Sequence, residues 1–195
     1  MDDREPDSIH DIARQMLGNA TFSGLDHAER VHQIAEDIGQ REGADLDILR
    51  AAALLHDIGV PINKNLHYEI GALLAQGILS QFGFTKDEIE PIVHAIEAHS
   101  RYGGPDPQTS EGRILQDADA VEYVGATGLA RAIVRGLGSG DYSGDLSELP
   151  ALIDELIERV DGTLHTKRGQ ALVRDRIAYL RDFQERLKAE IEGEL

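Results

Sequence analysis

His56 and Asp57 stand side by side where an apolar helical segment, Ile48 to Leu55, runs out, and Gly59 follows two residues later. Two readings meet there. A histidine at a helix C-terminus complements the dipole and an aspartate opens a turn; alternatively both side chains are metal ligands. The chain has eight histidines, and most fall in its middle helical segments. His27 lies in a first helical turn, His67 begins a segment, and His94 and His99 lie near the end of another. Taken singly, each reads as a structural histidine. Asp117 and Asp119 resist that reading, because they lie in the apolar run Ile-Leu-Gln-Asp-Ala-Asp-Ala-Val, and an ionised carboxylate there needs a compensating charge. A metal ion is a natural one. Together, His27, His56, Asp57 and Asp119 would offer two imidazoles and two carboxylates, a set suited to Mn, Fe, Co, Ni or Mg. Four protein ligands would leave two octahedral positions for water or substrate oxygens. That is a hydrolytic arrangement, in which the ion acidifies water and polarises a phosphoryl oxygen.

The elements that must position these groups are all helical. Residues 1–7 read as a flexible tail, and Ile9 to Leu17 as a short amphipathic helix. Ser23, three before Asp26, suggests a capping box for a helix whose apolar positions are Ala28, Val31, Ile34, Ala35 and Ile38. Gly43 ends it, and Asp45 or Asp47 opens the helix that runs into His56. Leu66 to Phe82 follows with Ile70, Leu73, Leu74, Ile78 and Leu79 as its expected buried face, stopped by Gly83. Thr85 and Glu88 cap a helix to Ser100, in which Pro91 predicts a kink or a late start. Residues 102–110 are a Gly/Pro/Asp-rich loop. Glu111 to Leu137 reads as one long apolar helix, and the glycines at 136–144 as a second loop. Leu149 to Val160 and Arg168 to about Ile191 close the chain. Period-two alternation and internal repeats are absent. The expectation is an all-α chain forming a single helical bundle over residues 8–195, with C-terminal helices within 149–192.

Composition narrows the function. The chain has 195 residues, enough for a substantial core, with 41% hydrophobic and only 5% aromatic residues, so the core must be mainly aliphatic. It has no cysteine, which excludes disulfides and thiolate metal sites and fits a cytoplasmic setting. The net charge of -17 disfavours nucleic acid and anionic membranes as partners. No run approaches transmembrane length, and the acidic N-terminus is no signal peptide.

The order His27, His56-Asp57, Asp119 resembles the H…HD…D signature of the HD-domain metal-dependent phosphohydrolases. The surroundings agree: Asp26-His27-Ala-Glu-Arg30-Val31, then Arg50-Ala-Ala-Ala-Leu-Leu-His56-Asp57-Ile-Gly59, His67-Tyr-Glu-Ile-Gly71-Ala72, Ile96-Glu-Ala-His99-Ser100 and Gln116-Asp-Ala-Asp119. The likeness covers about residues 26–135 and is that of a small bacterial or archaeal member. It implies His27, His56, Asp57 and Asp119 as metal ligands. Asp57 would also orient the attacking water, and His99 would assist the leaving group. Asp117 would orient a ligand or a water from just outside the metal. His67, His94 and His99 loosely match the extra histidines of members with two metals. His10, His32 and His165 match nothing.

The resemblance implies hydrolysis of a phosphoester or phosphoanhydride in a nucleotide or similar small phosphorylated molecule. Two alternatives stand beside it: a nucleotide-sensing module and a di-iron oxygenase. A homodimer is left open. One departure concerns the substrate side. Relatives usually carry a basic residue after the A-D pair, where this chain has Ala120. Lys64, Arg101, Arg113, Arg131 and Arg135 are the candidates to replace its charge.

Overall fold

The structure is a computed structural model that describes residues 6–18, 23–160, 162 and 164–194. Among the described residues it is all helix: α1 (Pro6–Leu17), α2 (Leu25–Glu42), α3 (Leu46–Leu55), α4 (His67–Gln81), α5 (Lys86–Ala98), α6 (Ser110–Val121), α7 (Gly125–Ser139), α8 (Leu149–Glu158) and α9 (Lys167–Glu192), with short 3-10 turns at Lys64–Leu66 and Leu146–Glu148. None of these helices is long and apolar enough to cross a membrane. The chain forms two compact units, Met1–Asp119 and Ala120–Leu195. The tail expected over residues 1–7 falls mostly outside the described residues; Pro6 and Asp7 belong to α1.

In the first unit α3 is central. It packs on α1, α2 and α5, and α4 lies along α5. Its run of Ala51, Ala52, Ala53, Leu54 and Leu55 is buried all round, as a helix enclosed by neighbours must be. Asp45 caps it, accepting from the backbone N–H groups of Asp47 at 3.0 Å and Ile48 at 3.2 Å. The cap of α2 is Gly24 rather than Ser23, and Asp26 instead pairs with Arg30 at 3.0 Å. In α5 the capping pair holds, with Glu88 accepting from the Thr85 backbone N–H at 2.7 Å. Pro91 does not delay the start of this helix, which begins at Lys86.

The buried face of α4 is a correction. Leu73 is 70% exposed, and the inward positions are Tyr68, Gly71, Ala72, Ala75 and Leu79. Small residues win because they let the α4 backbone approach its neighbours closely. Counting the largest apolar side chains put the face about one residue off.

The second correction is the long helix expected over 111–137, which is broken. α6 ends at Val121, α7 starts at Gly125, and Gly125 takes φ +81°, a left-handed conformation that favours glycine. In the second unit Arg176 of α9 donates to the Val121 carbonyl at 2.8 Å and the Val124 carbonyl at 3.4 Å, which satisfies acceptors freed by the break. α7 then continues through Gly136 and Gly138 to Ser139, so the second loop is shorter than its glycines suggested. The hydrophobic packing of this unit joins α7, α8 and α9 through Leu129, Ile153, Leu156, Val173 and Leu180.

Candidate metal centre

The centre lies in the first unit and is assembled from five chain segments. His27 sits in the first turn of α2 with 3% exposure; His56 follows the end of α3 and is fully buried; Asp57 comes next at 6%. The chain then turns tightly, with the Val60 N–H donating to the Asp57 carbonyl at 2.9 Å. Gly59 is the contact point of this turn with α4. A Cβ on it would stand 2.2 Å from the His67 carbonyl oxygen and 2.8 Å from the Gly71 nitrogen. Gly71 reciprocates, since its Cβ would stand 3.1 Å from the His56 carbonyl oxygen. Gly59 is therefore needed for close backbone approach. That approach brings the first residue of α4, His67, beside Asp57.

Three imidazoles share one local device. Nδ1 of His56 donates to the Ala53 carbonyl at 2.7 Å, Nδ1 of His67 to the Lys64 carbonyl at 2.8 Å, and Nδ1 of His99 to the Ile96 carbonyl at 2.6 Å. A carbonyl only accepts, so each ring carries a proton on Nδ1 and turns Nε2 to the interior. Asp57 receives them on both oxygens. Oδ2 lies 3.5 Å from His56 Nε2 and 3.8 Å from His27 Nε2. Oδ1 lies 3.6 Å from His99 Nε2 and 3.7 Å from His67 Nε2. Asp119 adds a carboxylate oxygen 3.3 Å from His27 Nε2. The rings meet edge-on, with centroid separations of 5.3 Å for His27–His56, 4.9 Å for His56–His99 and 5.0 Å for His67–His99.

The electrostatics follow from this crowding. Burial alone would raise the Asp57 carboxyl, but His56 and His99 beside it hold it well below the usual carboxylate range. Burial opposes ionisation of Asp119 as well, and His27 outweighs it, drawing that group down to about 2. Burial would lower His56, yet neighbouring Asp57 leaves it raised. His67 is lowered by burial and by His99. Both carboxylates are thus anionic near neutral pH.

The donor set fits a divalent cation. His27, His56 and Asp57 form one group whose ligand atoms all lie within 4.8 Å of one another, and Asp57, His67 and His99 form a second. Ligands about 2.1 Å from a shared ion stand roughly 3 Å apart when adjacent and roughly 4 Å when opposite, which brackets the separations above. His56 Nε2 is buried without a hydrogen-bond partner, an arrangement that a ligand bond would satisfy. His67 Nε2 also meets His99 Nε2 at 3.2 Å, two nitrogen donors close enough to share a cation.

Other expected residues lie elsewhere. His94 Nε2 accepts from the Gln108 backbone N–H at 2.9 Å, so it holds the 102–109 loop. Asp117 is fully buried, and its carboxylate faces Arg101 at 3.5 Å. Arg131 meets Glu122 at 3.4 Å in the second unit, while Lys64 is exposed on the 3-10 turn before His67. His10 pairs with Glu29 at 2.6 Å. The sequence reading missed the structural role of the two glycines, although a small residue two after the His-Asp pair and another four after His67 were visible signals.

Known proteins share this arrangement of sequence and fold. The HD domain pattern matches residues 24–124. YpgQ of Bacillus subtilis is 30% identical over 174 residues, spanning 86% of this chain and 83% of that protein. Its crystal structure in complex with ADP superposes with a TM-score of 0.78 at 27% identity, covering 99% of this chain and 98% of that one. A predicted HD superfamily hydrolase from an uncultured Thermotogales bacterium gives a TM-score of 0.71 at 27% identity over 94% of this chain and 91% of that one. Ribonuclease Y of Cutibacterium acnes is 33% identical over 125 residues, which cover 59% of this chain and 21% of the ribonuclease.

Proposed function

The chain belongs to the HD-domain family, and on that premise we propose that it is a metal-dependent phosphohydrolase acting on a phosphoester or phosphoanhydride of a nucleotide or similar small molecule. The observation that carries this reading is the convergence of four imidazole Nε2 atoms on the two oxygens of buried Asp57, with the Asp119 carboxylate 3.3 Å from one of them, His27. His27, His56, Asp57 and Asp119 are the proposed ligands. Mn, Fe, Co, Ni or Mg would suit this mix of nitrogen and oxygen donors. A bound divalent ion would acidify a water molecule and polarise a phosphoryl oxygen.

The side chains do the rest. His56 is held by its own helix end, so its Nε2 needs no reorientation on loading. Asp57 offers a second oxygen to accept a hydrogen bond from the attacking water. His99, whose Nε2 lies 3.6 Å from Asp57 Oδ1, is placed to assist the leaving oxygen. The ADP bound by YpgQ supports a nucleotide as substrate. The acidic composition supports a small molecule over a long polyanion.

One observation favours a variant of this reading. The second donor group, Asp57 with His67 and His99, suits a second ion, with Asp57 shared between the two. Metal content measured alongside activity separates one ion from two, and two irons with oxygen consumption would indicate oxygenase chemistry instead. The test is a screen of nucleotides, a chromogenic phosphodiester and an RNA oligonucleotide with Mn, Co, Ni or Mg added. Hydrolysis lost in Asp57→Ala with helicity intact supports the proposal. Hydrolysis that survives Asp57→Ala sinks it.

A further inference from the structure

Around His99, two buried hydrogen-bonding groups and an ion pair tie the end of α5 to the middle of α6. Gln116 Nε2 donates to the Ala98 carbonyl at 3.0 Å, directly before His99. Arg101, two residues after His99, donates from Nη2 to the Gln116 carbonyl at 3.3 Å and faces Asp117 Oδ1 at 3.5 Å. The chain on both sides of His99 is thereby pinned to two consecutive residues of α6. Two residues further on, α6 carries Asp119. At about 100° per residue, Asp117 and Asp119 point to nearly opposite sides of the helix. One side meets Arg101; the other meets His27 at 3.3 Å. Asp117 is fully buried and the Arg101 side chain is 11% exposed, so the pair is largely shielded from solvent screening.

We infer that Arg101, Asp117 and Gln116 form a clamp that positions His99 against Asp57 and sets its distance from Asp119. They are positioning residues, and Arg101 acts in the clamp through Nη2. The clamp acts on the His67–His99 side of Asp57. The His27–His56 side is held separately, by α2 and the end of α3. The inference rests on the proposed metal site for its consequence, but its geometry can be tested without metal.

Two measurements on the chain test it. The first is the imidazole nitrogen–proton NMR spectrum of the metal-free protein. The parent should show His99 as a single Nδ1–H tautomer, held by the Ile96 carbonyl; Arg101→Met and Asp117→Asn should shift and broaden the His99 Nε2 and Cε1 signals as the ring moves against Asp57, with its Nδ1–H tautomer and the His56 signals unchanged. The second is Mn titration followed by calorimetry, with kcat and KM measured on whichever substrate the screen returns. Loss of a group that orients a ligand typically weakens metal binding or activity by roughly 10- to 100-fold, and here kcat should fall while KM stays. Because the two residues act as a unit, the double variant should lose no more than either single variant. Arg101→Lys keeps the charge and should recover part of the loss, which also guards against a variant that fails to fold. An unchanged His99 signal, or additive losses, would overturn the clamp. A parent chain that binds no ion would sink the proposed function, while the His99 spectrum would still decide the clamp.

Discussion

Asp57 is the residue on which the centre turns, since each of its oxygens faces a different pair of imidazoles. Replacing it removes both donor groups at once, whereas His67→Ala removes one. We therefore expect Asp57→Ala to abolish Mn binding in a calorimetric titration, and His67→Ala to leave binding through His27, His56 and Asp119 detectable. Gly59 carries a prediction of a different kind. A methyl group there would stand 2.2 Å from a backbone oxygen, which no rotamer change relieves. Gly59→Ala should separate the His56-Asp57 turn from α4, lower stability by about 1–3 kcal/mol as overpacking does, and weaken metal binding without touching a ligand. A melt and a titration on that variant check both effects; an unchanged melting temperature would contradict the close approach. The cluster of His27, His56, Asp57 and Asp119, proposed here as ligands, was suggested by the sequence because these side chains carry their chemistry in their identity. The roles of Gly59 and Gly71 were not, because a glycine's spacing does not say which neighbouring backbone it lets in.

At the scale of elements, α3 has the strongest local signals: an Asp45 cap, an apolar body and the His-Asp pair at its end. Asp45→Ala should lower stability by about 1 kcal/mol, a typical cost of losing an N-cap, read as a shift in denaturant midpoint with unchanged slope. The helix types and most boundaries followed from caps and apolar spacing. The face of α4 did not, because Leu73 is turned outward while alanines and glycine are buried. Hydrophobic size is a poor guide where backbones must pack closely. The break after Val121 was also hidden. The apolar pattern runs on through it, and the group that stabilises it, Arg176, comes from α9, 55 residues later. Arg176→Met should destabilise this turn by about 1–3 kcal/mol, the cost of leaving a buried carbonyl unpaired, and a melt of the full chain measures it.

For the whole molecule, charge sets the terms of encounter. A chain of net charge -17 repels an anionic nucleotide at long range. Raising ionic strength from about 10 to about 150 mM shortens the screening length to roughly 8 Å and should increase kcat/KM, the opposite of what a basic enzyme shows. A fall over that range would mean that local cations dominate capture. A bound divalent ion offsets part of this charge and should raise the melting temperature with the logarithm of its free concentration above the Kd, as any ligand of the native state does. There is a last consequence in the three imidazoles that each donate to the carbonyl three residues earlier. Their orientation is written into short stretches of chain, Ala53 to His56, Lys64 to His67 and Ile96 to His99, and each ring travels with its own segment. The spacing between donors is then a matter of how helices lie against one another. A lineage could retune such a centre for a larger or smaller ion by exchanging core residues between α3, α4 and α5, with every ligand left in place.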